Sequence, residues 1–209
     1  MATTRMELRM RTVGEWAENA YALVCPTTRQ SVLIDPGAEP ETLQAMLADT
    51  QPVAILITHT HPDHIGALDA MRAALNVPVM AHPGPHFESN PAADRWLKDG
   101  DTVSVGQHSL QVYYTPGHIG DMICFSVVGD ECVLVGDAIF EGGPGKTEST
   151  EDFQTTLRTL RNVILAWPDD TVCYPGHGSH FRLGDKRTSI EAFLAQDHGG
   201  FFGDATWEM

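Results

Sequence analysis

The sequence predicts an α/β protein, a layered sandwich of two β-sheets covered on the outside by helices. Eight short apolar runs rich in β-formers, amphipathic segments between them, and an order of strands then helix, repeated twice, lead to that class. In chain order the strand-like runs are AYALVC (20–25), SVLID (31–35), VAILI (53–57), VPVMA (77–81), LQVYYT (110–115), MICFSVV (122–128), CVLVGD (132–137) and TVCY (171–174). A first helix is expected at about 40–49. Ile65, Leu68, Met71 and Leu75 recur at helical spacing and predict a second. Phe153, Leu157, Leu160 and Ile164 predict a third, which Ser149 starts as a cap with Asp152 three residues on. A fourth is expected at 187–196. The Gly/Pro-rich segments 82–91 and 141–146 read as loops long enough to cover a site.

With 209 residues, 42% hydrophobic and 20% charged, the chain has the composition of a soluble protein, and one domain spanning 1–209 is expected. The first twenty residues are too polar for a signal-peptide core. No apolar run approaches the roughly 18 residues of a membrane span. A cytoplasmic protein without a membrane partner is therefore expected. Cys25, Cys124, Cys132 and Cys173 lack C-x-x-C spacing and read as buried reduced thiols. A formal net charge of -15 repels phosphodiester backbones, so nucleic acid is not expected as a partner. It leaves a small anionic substrate possible, and carboxylates neutralised by metal would contribute to the count.

Several strands end alike. VAILIT runs into His59, His61, Asp63 and His64; LQVYYT into His118; CVLVG into Asp137; TVCY into His177. If these strands share an edge, their ends meet. Taken singly each residue has an ordinary role: Asp63 as a helix N-cap, His118 and His177 as turn residues after Pro-Gly, Asp137 as a turn acid. The H-x-H-x-D-H spacing argues against coincidence. In an extended segment residues two apart point the same way, so His59 and His61 can grip one ion. Asp63 and His64, beyond Pro62, aim differently and can serve a second. Imidazole nitrogen and carboxylate oxygen suit zinc, and Asp137 is the candidate bridge between two ions.

THTHPDHIGAL, TPGHIGD, GDAIF and YPGHG resemble, in order and spacing, the metallo-β-lactamase fold superfamily, and most of all its glyoxalase II-like (hydroxyacylglutathione hydrolase-like) branch. The resemblance covers nearly the whole chain, from ENAYALV to PGHGSHFRLGDKRTSIEAF. It implies a four-layer αββα sandwich with a dinuclear site at one edge. It further implies that His59, His61 and His118 bind one metal and Asp63, His64 and His177 the other. Asp137 would bridge them, and Asp63 would also orient the water. Two divalent ions are expected, zinc first, with iron or manganese as alternatives. A bridging hydroxide, its pKa lowered from about 15.7 to roughly 7, would attack the carbonyl of a small-molecule thioester of the S-lactoylglutathione type. A thiolate leaves without much acid help, which favours thioesters or lactones over amides.

Thr58, Thr60 and Asp35 are candidates to hold the imidazoles from behind. The chain departs from the family's usual T-P-G-H-T-P-G-S at Ile119 and Asp121. A helical extension of the kind that supplies basic residues for glutathione in longer relatives is not expected here. Lys146 is the candidate contact for a substrate carboxylate, with a surface role as the alternative. Arg182, Lys186 and Arg187 read as solvated charge, with the same carboxylate contact as the alternative. Phe201, Phe202 and Trp207 read as packing residues. His82, His86, His108, His180 and His198 fall outside the ligand set. The competing functions are a lactonase or esterase on the same site, an iron-dependent persulfide dioxygenase, and a metal-retaining binding protein; a monomer or homodimer is expected.

Overall fold

Alternation of side chains along each strand sends one set of apolar residues inward and the other outward, and both sets are used. In the computed structural model, which describes residues 5–88 and 90–209, two six-stranded sheets stack face to face. The first runs β1 (Glu7–Val13), β2 (Glu18–Val24), β3 (Gln30–Ile34), β4 (Gln51–Leu56), β5 (Val79–Ala81) and β6 (Arg95–Trp96), side by side in chain order. The second contains β7 (Thr102–Val105), β8 (His108–Tyr114), β9 (Ile123–Val127), β10 (Cys132–Gly136), β11 (Val172–Pro175) and β12 (Phe181–Arg182), again in chain order across the sheet. Each sheet is thus a contiguous half of the chain. Both are mixed: β1 to β3 are antiparallel and β3 to β6 parallel, whereas β7 to β10 are antiparallel and only β10 and β11 pair in parallel.

Helices α1 (Pro40–Leu47), α2 (Pro62–Ile65) and α3 (Leu68–Leu75) belong to the first half, α4 (Thr150–Asn162) and α5 (Leu183–Leu194) to the second. Three apolar layers result. Val32, Ile34, Leu56, Leu110, Val112 and Phe125 fill the space between the sheets. Leu33, Ile55 and Ile57, pointing the other way, meet Leu43, Met46 and Met71 of the first helices. Val133 and Val135 meet Phe153, Leu160 and Phe193 of α4 and α5. This is the αββα sandwich. Cys25, Cys124, Cys132 and Cys173 are buried free thiols.

Two local departures from the sequence reading bear on the site. The helix expected around Ile65–Leu75 is two: a Cβ on Gly66 would lie 2.5 Å from the Gly37 carbonyl oxygen, so the chain presses onto the Asp35–Gly37 turn here, and α3 restarts at Leu68. Asp63 is not an N-cap. His61 holds that position without a side-chain cap, Pro62 opens the helix, and Asp63 lies inside the first turn with its carboxylate turned toward His177. Ser149 caps α4 as expected, accepting from the Asp152 N–H at 3.1 Å and donating to its carboxylate at 2.6 Å.

Candidate metal centre

β9 is antiparallel to both β8 and β10, so β8 and β10 run the same way, and β11 is parallel to β10. The segments after all three strands therefore emerge at one end of the second sheet, carrying His118, Asp137 and His177. The segment after β4 meets them from the first sheet with His59, His61, Asp63 and His64. The register is pinned across the gap: Asn19 Nδ2 donates to the Pro175 and Gly178 carbonyls at 3.2 and 2.9 Å, and the Tyr21 hydroxyl donates to Pro175 O at 2.7 Å.

The seven residues form two neighbouring groups. His59 Nε2 and His118 Nε2 lie 3.1 and 2.9 Å from His61 Nδ1. His177 Nε2 is 3.1 Å from Asp63 Oδ2, and His64 Nε2 is 3.9 Å from that oxygen. Asp137 stands between them: Oδ1 is 3.4 Å from His64 Nε2, and Oδ2 is 3.6 Å from both His118 Nε2 and His177 Nε2.

The hydrogen bonds behind the rings decide which nitrogen faces inward. His118 Nδ1 donates to the Lys146 carbonyl at 2.6 Å and His177 Nδ1 to the Trp16 carbonyl at 3.1 Å. His64 Nδ1 donates to Asp35 Oδ2 at 3.1 Å. Thr58 gives its own proton to Asp35 Oδ2 at 2.6 Å, so its Oγ1 accepts from His59 Nδ1 at 3.0 Å. In these four rings Nδ1 carries a proton and Nε2 turns toward the other ligand atoms, whereas His61 presents Nδ1; a proton held on the outer nitrogen is the arrangement that supports metal-bound imidazole. His59, His61 and His118 can hold one cation, and Asp63, His64 and His177 another.

The site residues fit such cations on two further grounds. His64 Nε2 and Asp137 Oδ1 are buried without hydrogen-bond partners, which is costly unless a cation satisfies them. Burial and the neighbouring imidazoles hold His59 well below the usual histidine range, and burial with His118 pushes His61 down to about 4, so both present lone pairs at neutral pH. Burial raises the Asp63 carboxyl, but the His177 hydrogen bond and the His64 charge outweigh it and hold it at about 2. Burial also opposes charge on His64 and His177. The Asp137 and Asp35 carboxylates nevertheless raise His64, and the Asp63 hydrogen bond with Asp137 raises His177, so cationic charge belongs there.

Thr58 and Asp35 hold imidazoles as expected. Thr60 does not: its hydroxyl donates to Asp121 at 2.7 Å and accepts from the Phe87 N–H at 3.0 Å. The carbonyls that orient His118 and His177 left no trace in the sequence, since any residue supplies a carbonyl. Glu18 was missed as well. It is 1% exposed, its carboxyl has no hydrogen-bond partner, and Oε1 lies 3.9 Å from His64 Nδ1. Burial, opposed by His64 and aided by Asp35, pushes it up to about 10.

Lys146 borders the centre, half-exposed and 2.8 Å from Glu148. The cleft above the two groups has a volume of about 620 Å³, and its walls include Trp16, Phe87, Lys146 and Glu148. Arg187 is committed to Asp169 and to the Leu165 and Trp167 carbonyls, and Lys186 to Glu141. Phe201 and Trp207 pack against the α4–α5 layer, while Asp204, Ala205 and Thr206 line a shallow groove next to His118 and His177.

A two-sheet αββα sandwich with paired histidine–aspartate groups at one sheet edge is the class that fold and site define. The chain belongs to the Metallo-beta-lactamase superfamily, whose sequence pattern matches residues 13–177. A hydroxyacylglutathione hydrolase of Polaromonas sp. is 34% identical over 172 residues, covering 78% of this chain and 64% of that enzyme. Among solved structures, TTHA1623 in a di-iron-bound form is 31% identical with a TM-score of 0.73, covering 86% of this chain and 96% of that one. ETHE1 from Myxococcus xanthus is 27% identical with a TM-score of 0.79, covering 92% and 86%. Among the described residues no helix is long and apolar enough to cross a membrane.

Proposed function

We propose that the chain is a dinuclear metal-dependent hydrolase that cleaves a small-molecule thioester, with His59, His61 and His118 holding one ion, Asp63, His64 and His177 the other, and Asp137 shared. The observation that carries this reading is the convergence of the two groups on Asp137. When bound, a pair of divalent cations supplies an activated water and a Lewis acid for a carbonyl oxygen. The likenesses to a hydroxyacylglutathione hydrolase and to a di-iron protein support both parts of the reading.

The residues around the ions do the rest. Asp63 stays anionic near neutral pH, so it would accept a hydrogen bond from the attacking water and orient it. Asp35 and Thr58 hold His64 and His59, and the Lys146 and Trp16 carbonyls hold His118 and His177, which keeps the ligand nitrogens aimed. Lys146, the lysine among the described cleft residues, is tied to Glu148. A leaving group that needs little protonation suits such a site, and a thiol with a pKa of about 8.5 departs as thiolate.

Elemental analysis together with thiol release tests the proposal. Two ions per chain and thiol appearing from a lactoyl thioester are expected. A fully metallated protein that leaves thioesters intact would refute it, and acid release from acyl-lactones without thiol would replace it with a lactonase. A second reading, one iron acting with oxygen on a persulfide, is supported by the likeness to ETHE1. One iron per chain with oxygen uptake on glutathione persulfide would select it.

A further inference from the structure

We infer that the slot between Trp16 and Phe87, opening onto the metal centre, binds an uncharged, medium-length acyl chain of the substrate, and that the protein is not tuned to glutathione. The inference rests on the hydrolase reading above and adds the substrate class. Trp16 is 76% exposed and Phe87 47% exposed, and both line the same cleft, which Val13, Ala38 and Pro62 line as well. Two large rings left in water at the mouth of one cavity mark a binding surface rather than a packing remnant.

Both rings are connected by hydrogen bonds or ring contacts to the ligand cage. Trp16 sits at the tip of the β1–β2 turn, where Gly14 and Ala17 have φ of 69° and 52° and the Ala17 N–H donates to Gly14 O at 3.3 Å. Its carbonyl is the one that orients His177. Phe87 meets the His61 ring edge-on, with centroids 4.6 Å apart. Its N–H is held by Thr60, whose hydroxyl is anchored on buried Asp121. The same loop is seated further back: His82 stacks on Tyr114 at 4.4 Å, and Pro85 occupies the space beside Gly120, where a Cβ would lie 2.4 Å from Pro85 Cγ. Asp121 and Gly120 belong to the stretch after His118 that departs from the family's usual sequence. Asp121, through Thr60, and Gly120, beneath Pro85, support the loop that carries Phe87.

Charge argues against the alternative occupant. Glutathione carries two carboxylates, and the one lysine on this cleft, Lys146, is paired with Glu148 and also lies near Asp204. Glu15 adds a carboxylate on the Trp16 side. Lys186 and Arg187 are paired elsewhere, so an anionic peptide gains little here.

The test uses the metal-loaded protein and N-acetylcysteamine thioesters from acetyl to decanoyl, alongside S-lactoylglutathione, with kcat/KM read for each. A non-hydrolysable alkyl thioether series is titrated in parallel by tryptophan fluorescence. The expected result is a rise of about fourfold per buried methylene until the slot is full. Trp16→Ala and Phe87→Ala should each lower the octanoyl-to-acetyl ratio at least about tenfold, with Trp16→Phe and Phe87→Leu restoring most of it. Thermal unfolding confirms that each variant folds. Turnover with a flat chain-length profile, or a clear preference for S-lactoylglutathione over octanoyl, overturns the slot and leaves the hydrolase standing. Chain-length-dependent thioether binding without turnover of any thioester supports the slot and overturns the hydrolase. Neither binding nor turnover overturns both.

Discussion

Replacing Gly176 by alanine tests the proposed cage without touching a ligand. An added Cβ would stand 2.2 Å from Asp137 Oδ1 and 2.5 Å from His64 Cε1, whereas real Cβ contacts essentially never fall under 3.0 Å. The carboxylate must therefore retreat by about 0.8 Å, the difference between 3.0 and 2.2 Å. The backbone cannot yield instead, because Gly176 N–H donates to Gly136 O at 2.9 Å and Gly176 O accepts from Asn19 N–H at 2.7 Å. Metal–ligand distances tolerate only about 0.2 Å, so a shift of this size breaks the Asp137 bond and distorts the His64 one. A loss of at least about 100-fold in affinity at one ion is expected, roughly 2.7 kcal/mol. Chelator competition with a chromophoric ligand measures it, beside metal content of the purified protein. Gly178→Ala, two residues on, is the control: at φ 74° with nothing within 4 Å of the added atom, it strains the backbone by about 1 kcal/mol but leaves the cage alone. Two ions bound by Gly176→Ala with unchanged affinity would refute the placement of Asp137 and His64 as ligands.

Two further outcomes follow from the supports. Asp35→Asn keeps a residue that tolerates the left-handed backbone at φ 52° but loses an acceptor shared by Thr58 and His64, so metal affinity should drop about 10- to 100-fold with little change in fold, read by the same competition. Burial raises the Asp121 carboxyl, so its contribution to stability is full below the unfolded value of about 3.9 and is lost as pH rises through the higher folded value. Asp121→Asn keeps an acceptor for Thr60 but does not titrate; its melting temperature relative to the parent should therefore rise between about pH 4 and pH 7, and a constant difference would contradict the assigned burial.

Much of this architecture could be read from residue order. Each of the eight apolar runs overlaps a strand, because continuous Val, Ile and Leu leave a buried strand few alternatives. β1 was not legible: ELRMRTV spreads three charges over an edge strand that is largely exposed. The two-residue strands β6 and β12 carry no periodicity at all. At the site, residues with distinctive chemistry were legible and those acting through backbone were not. His59 and His61 stand out by spacing, while the carbonyls of Trp16 and Lys146 do not. Glu18 escaped because a glutamate opening a strand ordinarily faces water, and only the closed sandwich shows it buried 3.9 Å from His64. Trp16 and Phe87 are ordinary hydrophobes until the fold leaves them uncovered beside the centre.

The division of the chain into one sheet per half has a consequence for how its parts depend on each other. The connection between β6 and β7 separates His59, His61, Asp63 and His64 from His118, Asp137 and His177. Each proposed ion takes histidines from both sides of that connection, so neither half alone can complete a chelate. Divalent cations then act as a clasp between two lobes, and any ligand bound only by the joined form adds its binding free energy to the joining. Slippage of one sheet against the other would register first as released metal, before any strand had unfolded.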